Sequence, residues 1–203
     1  MGNNYSTEEE AIILDSIDNF IKLDVLPYAH ALEYSDTYPS EIVEKMKKLG
    51  LFGAIIDPKY GGVGLSVKTY AKIVEKISEA WMSVSGVLNS HLIMAIAVQR
   101  FGTEEQKKEW LPRFASGELR GGVALTEPDA GTDLQAIRTK AVRDGDDYVV
   151  NGSKTWITNA LQGQCLALLV KTDPHAEPRH KGMSLFIAEK GEGGAIVVKI
   201  PGS

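Results

Sequence analysis

The spacing of the hydrophobic residues changes once along this chain of 203 residues, close to Glu118. Before that point apolar residues recur every three or four positions, which is the spacing of one face of a helix. After it they alternate with polar residues, which is the spacing of a half-buried strand. The sequence therefore predicts an α+β fold, with an all-α helical bundle over residues 1–117 and an antiparallel β-domain over residues 118–203.

The helical half carries its own start and stop signals. Ser6 or Thr7 is predicted to cap the first helix, because each has a glutamate three residues later, and Thr103 with Gln106 repeats this capping-box spacing. Pro27 is expected to end the first helix, since proline lacks the N–H that a helix interior needs. The segment from 83 to 101 is apolar on nearly all sides, which is typical of a helix at the centre of a bundle.

The second half carries the signals of short strands and turns. Asp144-Gly145 predicts one turn, and Asn151-Gly152 is the strongest hairpin signal of the chain. Further strands are predicted over residues 166–170 and 183–189. A last strand, from Ala195 to Ile200, follows a glycine-rich stretch, and the domain is expected to be incomplete.

Composition excludes several classes of protein. A net charge of −5 argues against nucleic-acid binding, which normally leaves a basic surface. No apolar run is expected to approach the roughly 18 residues of a membrane span, so none is predicted. The single cysteine, Cys165, excludes a disulfide framework, and the four histidines have no metal-ligand spacing. Glutamates at 8–10 occupy the place of a signal-peptide core, so we expect a reducing, cytoplasmic location.

Two polar segments of the second half are not typical of a protein core. ALTEPDAGTD (Ala124 to Asp133) is a loop broken by proline and glycine that carries several hydroxyl and carboxylate groups. KTWITN (Lys154 to Asn159) is predicted to be a strand with Trp156 and Thr158 on one face, because strand side chains repeat every two residues. Backbone N–H groups, an aromatic plate and a hydroxyl group together suit a flat cofactor with polar edges, and flavin fits that description.

These segments, with LGLFGAIIDPKYGGVGLS and RFGTEEQKKEWLPRFASGEL, resemble the N-terminal half of the acyl-CoA dehydrogenases. The four blocks stand in the family's order over nearly the whole chain. The resemblance implies FAD-dependent oxidation of an acyl-CoA thioester to a 2-enoyl-CoA in fatty acid metabolism. It also implies an electron-transfer flavoprotein as electron acceptor and a homo-oligomer for the full-length parent.

The resemblance assigns roles to individual residues. Backbone N–H groups around Leu125 and Thr126 would meet the pyrimidine edge of the flavin, Trp156 would lie against its ring face, and Thr158 would bond near N5. Thr132, where the family usually has serine, would contact the acyl-CoA. The implied flavin-binding residues are Val123, Leu125, Thr126, Gly131, Thr132, Trp156, Ile157 and Thr158. Those implied to contact substrate are Thr132, Leu88, His91 and Met94.

The catalytic base is not expected within these residues. Glu127 lies in the flavin loop, but a glutamate before proline is predicted to accept local backbone N–H bonds, which lowers its pKa and weakens it as a base. In the family the base is a glutamate of a C-terminal helical domain, expected here beyond Ser203, so the 203-residue chain alone is predicted to be inactive. Two alternatives stay open: a non-catalytic scaffold or interaction protein, and an acyl-CoA oxidase that uses oxygen.

Overall fold

The computed structural model describes residues 5–191 and the backbone of residues 196–198. The chain divides into two compact units, Met1–Glu118 and Leu119–Ser203. The first is helical and the second is built on a sheet, which confirms the predicted fold class. One detail is wrong: the sheet is mixed, because strands that are distant in sequence pair in parallel.

Within residues 5–118 the helical unit contains five α-helices, together with short 3-10 turns at Leu51–Gly53 and Pro58–Tyr60. The helices are α1 (Thr7–Phe20), α2 (Leu26–Tyr34), α3 (Ser40–Lys48), α4 (Val67–Phe101) and α5 (Glu104–Ala115). Both predicted capping boxes are confirmed: Ser6 pairs with Glu9 at the start of α1, and Thr103 pairs with Gln106 at the start of α5.

Pro27 does not end a helix, contrary to the prediction. The chain passes from α1 through a π-helical turn, Ile21–Val25, directly into α2, where Pro27 is the second residue. A π-turn holds one more residue than an α-turn, and this changes the position of the carbonyl that a proline ring would otherwise strike. The wide turn therefore lets the helical path continue across the proline.

The long helix α4 begins at Val67 and continues, across a break at Trp81 whose backbone is extended (φ −163, ψ 105), into the segment predicted as a helix over residues 83–101. Among the described residues α4 is the one helix long and apolar enough to cross a membrane by length and composition, contrary to the estimate that no run comes close. Yet 56% of its apolar window is buried inside the protein, as in the core helix of a globular unit. The absence of a membrane span and the cytoplasmic location stay predictions.

The sheet unit contains six described strands. They are β1 (Gly121–Ala124), β2 (Lys140–Asp144), β3 (Asp147–Asn151), β4 (Cys165–Lys171), β5 (Met183–Lys190) and β6 (Ile196–Val198). The order is β3-β2-β4-β5-β6, and β1 pairs in parallel with the first half of β4. The predicted last strand is confirmed over Ile196–Val198, and its other residues lie outside the described part of the chain.

The turn at Asp144-Gly145 joins β2 and β3 into a hairpin, as predicted, and Asn151-Gly152 forms no hairpin. Asn151 ends β3 opposite Lys140, and the chain then leaves the sheet. A Cβ atom on Gly152 would lie 2.6 Å from the Cα atom of Thr139. The glycine is therefore needed for a close backbone approach and not for a turn.

Candidate functional site

The predicted flavin loop begins where β1 ends. Ala124 is fully buried and pairs with Leu168 of β4, so the sheet fixes the point from which the loop leaves. Glu127 and Ala130 then exchange backbone hydrogen bonds of 2.9 and 3.2 Å, which close a small turn around Pro128. The loop is thus held at its root by the sheet and at its tip by its own turn.

The Glu127 carboxylate anchors the loop from inside. Its side chain is 6% exposed and accepts hydrogen bonds from the backbone N–H groups of Arg138 (2.5 Å) and Thr139 (3.0 Å). The Lys154 ammonium group, whose side chain is 9% exposed, donates to the same carboxylate at 2.9 Å. Glu127 accepts backbone N–H bonds as predicted, but the expectation of local donors is wrong, because the donors are eleven and twelve residues away.

These contacts set the protonation state of Glu127. Burial alone raises the pKa of its carboxyl group, but hydrogen bonds from Lys154 and Thr139 and from the backbone outweigh burial and lower the pKa from 4.5 to about 2. A carboxylate with so low a pKa is a poor proton acceptor near neutral pH. The expectation that Glu127 is not a catalytic base agrees with this geometry.

The low pKa of Glu127 predicts an acid-sensitive sheet unit. A carboxyl group with a depressed folded-state pKa contributes stability above its ordinary pKa, and this stability is lost as the pH falls towards the folded-state value. The pKa falls from 4.5 to about 2, so we expect the free energy of unfolding to drop by about 3 kcal/mol between pH 5 and pH 2. Urea denaturation between pH 5 and pH 2 measures this loss. In Glu127→Gln the free energy of unfolding should depend less on pH. An equal pH dependence in the variant would contradict the low pKa of Glu127.

The segment from Lys154 to Asn159 is not a strand, contrary to the prediction. Trp156 and Asn159 have left-handed backbones, with φ of 57° and 66°. Such a conformation is tolerated by asparagine and is unusual for a bulky residue such as tryptophan. Side-chain alternation is nevertheless preserved, because Trp156 and Thr158 are exposed while Ile157 packs against the core of the sheet unit.

Three tethers hold this strained segment, two to the flavin loop and one to β1. Thr155 N–H donates to the Thr126 carbonyl oxygen at 3.0 Å, and the Lys154 ammonium group donates to the Leu125 carbonyl oxygen at 2.8 Å. At the far end, the Asn159 side-chain amide donates to the carbonyl of Gly121 in β1 at 2.8 Å. Strained backbone that is held by its surroundings is frequent at functional sites.

The flavin loop and the segment from Lys154 to Asn159 leave several groups available to a ligand. Among the described residues, the backbone N–H groups of Leu125 and Thr126 donate to no protein acceptor, while both carbonyls are occupied. The Trp156 side chain is 90% exposed, which is exceptional for so large an apolar ring, and Thr158 is exposed beside it. The tethered pair of segments therefore offers two adjacent donors, an aromatic face and a hydroxyl group.

The other predicted site residues occupy varied places. Val123 is half-buried in β1, and Gly131 and Thr132 are exposed in the loop after the turn. Leu88, His91 and Met94 are fully buried in the helical unit. Their contact with a substrate stays a prediction.

His91 is a hydrogen-bonded core residue of the helical unit. Its Nε2 atom lies 3.1 Å from the carbonyl oxygen of Phe114, and its ring meets the edges of Phe52 and Phe114. This contact gives the buried imidazole a polar partner within the core.

Sequence reasoning missed two residues of the site, Lys154 and Asn159. Each makes its bonds to residues 27 to 38 positions away, so no local pattern identifies the partners. A lysine between two strand-like stretches is expected to be exposed to solvent, since lysine is rarely buried unless it is paired. The one signal in the sequence was Glu127, because a carboxylate that is buried needs a cation beside it.

Two domain families match the chain in sequence order. Residues 7–118 match the acyl-CoA dehydrogenase N-terminal domain, and residues 122–202 match the acyl-CoA dehydrogenase middle domain. The chain belongs to the acyl-CoA dehydrogenase family. The flavin loop and the Trp156 segment both lie in the part that matches the middle domain of the acyl-CoA dehydrogenases.

Known acyl-CoA dehydrogenases align over most of the chain. The (2S)-methylsuccinyl-CoA dehydrogenase of Cereibacter sphaeroides is 39% identical over 184 residues, which are 90% of this chain and 33% of that protein. The acyl-CoA dehydrogenase of Bacillus anthracis, solved in complex with FAD, has a TM-score of 0.79 and 34% identity over 94% of this chain and 32% of that one.

A third similarity is to a solved structure described as the electron transferring flavoprotein of Acidaminococcus fermentans. Its TM-score is 0.86, with 34% identity over 95% of this chain and 50% of that one. The chain thus spans about a third to a half of the length of these three proteins.

Proposed function

We propose that this chain forms part of the flavin site of an FAD-dependent enzyme that oxidises an acyl-CoA thioester to a 2-enoyl-CoA. We further propose that the electrons pass to an electron-transfer flavoprotein. The observation that carries the proposal is the pair of unpartnered N–H groups at Leu125 and Thr126, beside an exposed tryptophan held at positive φ. A relative of the same fold that was solved with FAD supports the choice of cofactor.

The donor set suits the flavin ring system. Two adjacent backbone N–H groups match the acceptor atoms of the pyrimidine edge, and fixed donors cost no reorganisation when charge develops there. The indole ring of Trp156 provides a flat apolar surface, and the Thr158 hydroxyl group provides a hydrogen bond near N5. When it is bound, the flavin supplies a hydride acceptor; the protein binds and orients it and excludes water.

Proton removal from the substrate is proposed to fall to a carboxylate outside the 203 residues. Glu127 is unsuitable, because its carboxylate is committed to Lys154 and to two backbone N–H groups and its pKa is about 2. We therefore expect the chain to bind flavin and acyl-CoA without turnover. Thr132, exposed at the end of the loop, is the proposed contact for the acyl-CoA.

The proposed function is tested by adding a saturated acyl-CoA anaerobically to the FAD-loaded chain and recording the visible flavin band. We expect the band to shift without bleaching, since the thioester lies beside the flavin and no base removes the proton. Rapid bleaching would contradict the placement of the base. An unchanged band at saturating acyl-CoA would contradict the proposed substrate class.

Replacing Trp156 with Leu should weaken FAD binding and leave the fold intact. Aromatic stacking contributes about 0.5–1.5 kcal/mol, so we expect the Kd for FAD to rise about two- to tenfold. The 90% exposed side chain gives little reason for a change in the free energy of unfolding. Fluorescence titration with FAD and urea denaturation measure the two quantities.

Leu161→Ala is the matched control for this variant, because Leu161 is 89% exposed five residues further along. It should change neither quantity. Equal FAD affinity in wild type and Trp156→Leu would remove the indole ring from the proposed site.

A further inference from the structure

A buried lysine ties the two segments of the proposed site together. The Lys154 side chain is 9% exposed and its ammonium group has two acceptors, the Leu125 carbonyl oxygen at 2.8 Å and the Glu127 carboxylate at 2.9 Å. Thr155 N–H already tethers the same segment to Thr126 at 3.0 Å. The lysine is therefore not needed merely to attach one segment to the other, and burying a charge is costly unless it is paired.

The position of the bond on the backbone suggests what the charge does. The carbonyl of Leu125 and the N–H of Thr126 belong to the same peptide group, and that N–H is one of the two unpartnered donors. A cation that bonds the carbonyl oxygen draws electrons through the peptide and makes its N–H a stronger donor, because linked hydrogen bonds polarise one another. The carbonyl end of this peptide is thus polarised by Lys154, and its N–H end is available to a ligand.

We propose that Lys154 is a positioning residue of the flavin site, which holds and polarises the Leu125–Thr126 peptide so that the Thr126 N–H binds the pyrimidine edge of the flavin more strongly in its reduced state. The inference rests on the proposed function, because it takes flavin as the ligand of that N–H. Glu127 balances the ammonium charge and limits the preference for the reduced state.

The charge balance predicts opposite effects for the two partners. Glu127→Gln leaves an unbalanced positive charge next to the peptide, so the ratio of affinities for reduced and oxidised flavin should rise about tenfold. Lys154→Met leaves the negative charge, so the ratio should fall about tenfold. For a two-electron couple each change is about 30 mV in the midpoint potential of the bound flavin, upward for Glu127→Gln and downward for Lys154→Met. A purely structural role would weaken flavin binding in both variants without opposite shifts.

The experiment measures the midpoint potential of FAD bound to the 203-residue chain in wild type, both single variants and the double variant Glu127→Gln/Lys154→Met. The double variant has no unpaired buried charge, so it should fold even where a single variant does not. Its potential should lie between those of the single variants. Lys140→Met, which removes an exposed lysine of the same unit, is the control and should leave the potential unchanged.

A second readout needs no flavin. In the flavin-free chain, the NMR resonances of the Leu125 carbonyl carbon and the Thr126 amide proton should both move upfield in the double variant and stay in place in Lys140→Met. If wild type fails to bind FAD while these resonances move, the proposed function fails and the polarisation stands. If the resonances stay in place, or both single variants shift the potential in the same direction, the inference on Lys154 is overturned.

Discussion

Lys154→Met is expected to lower the free energy of unfolding of the sheet unit by about 3–5 kcal/mol, because it leaves the Glu127 carboxylate buried and without its cation. Both side chains are more than nine-tenths buried, so solvent screens the pair very little. Glu127→Gln should cost a similar amount, since it leaves the ammonium group unbalanced and weakens the acceptor of two backbone N–H groups. Urea denaturation at neutral pH measures both losses.

The double variant Glu127→Gln/Lys154→Met measures how much of each stability loss comes from the ion pair itself. If the ion pair is the dominant interaction, the double variant should lose no more stability than a single variant does, so its loss should fall short of the sum of the single losses by about 3 kcal/mol or more. Lys140→Met should stay within about 0.5 kcal/mol of wild type. Additive losses would show that the two side chains act independently, contrary to the geometry.

The second large effect is expected in the helical unit. Phe114 is fully buried, and its ring stacks on Trp110 and makes a T-shaped contact with His91, while its carbonyl oxygen lies 3.1 Å from the His91 Nε2 atom. Phe114→Ala should destabilise this unit by about 3–5 kcal/mol, because the loss of buried ring surface is joined by the cost of a cavity.

Phe101→Ala is the matched control for this prediction, because the same residue type at the end of α4 is 85% exposed. It should change the free energy of unfolding by less than about 0.5 kcal/mol. Similar losses in the two variants would mean that Phe114 does not lie in a packed core. Thermal or urea unfolding followed by far-UV circular dichroism reports chiefly on this helical unit.

Features fixed by local interactions were predictable from the sequence. Ser6 and Thr103 cap helices as expected, because a capping box needs only residues three positions apart. The strands β4 and β5 were predicted within a residue at each end, since their apolar runs are bounded by polar loops. The flavin role of the loop from Ala124 to Asp133 was inferred from loop composition and family resemblance, and it stays a prediction.

Features fixed by distant interactions were not predictable. The alternation around Trp156 indicated a strand, but tethers from Thr155 and Asn159 to residues 29 and 38 positions earlier bend the segment into left-handed backbone. The parallel pairing of β1 with β4 has no local signature either, and it makes the sheet mixed. The prediction that Pro27 ends a helix was wrong because the π-turn before it depends on how α1 and α2 continue on its two sides.

Retention of FAD by the 203-residue chain tests the central claim most directly. The purified chain is incubated with FAD and passed through a desalting column, and the visible spectrum of the protein peak is recorded with circular dichroism to establish folding. We expect a flavin band close to one FAD per chain, reduced in Trp156→Leu and retained in Leu161→Ala. A folded wild-type chain that emerges without flavin would contradict the claim that the Leu125–Thr126 peptide and the Trp156 segment form a flavin site.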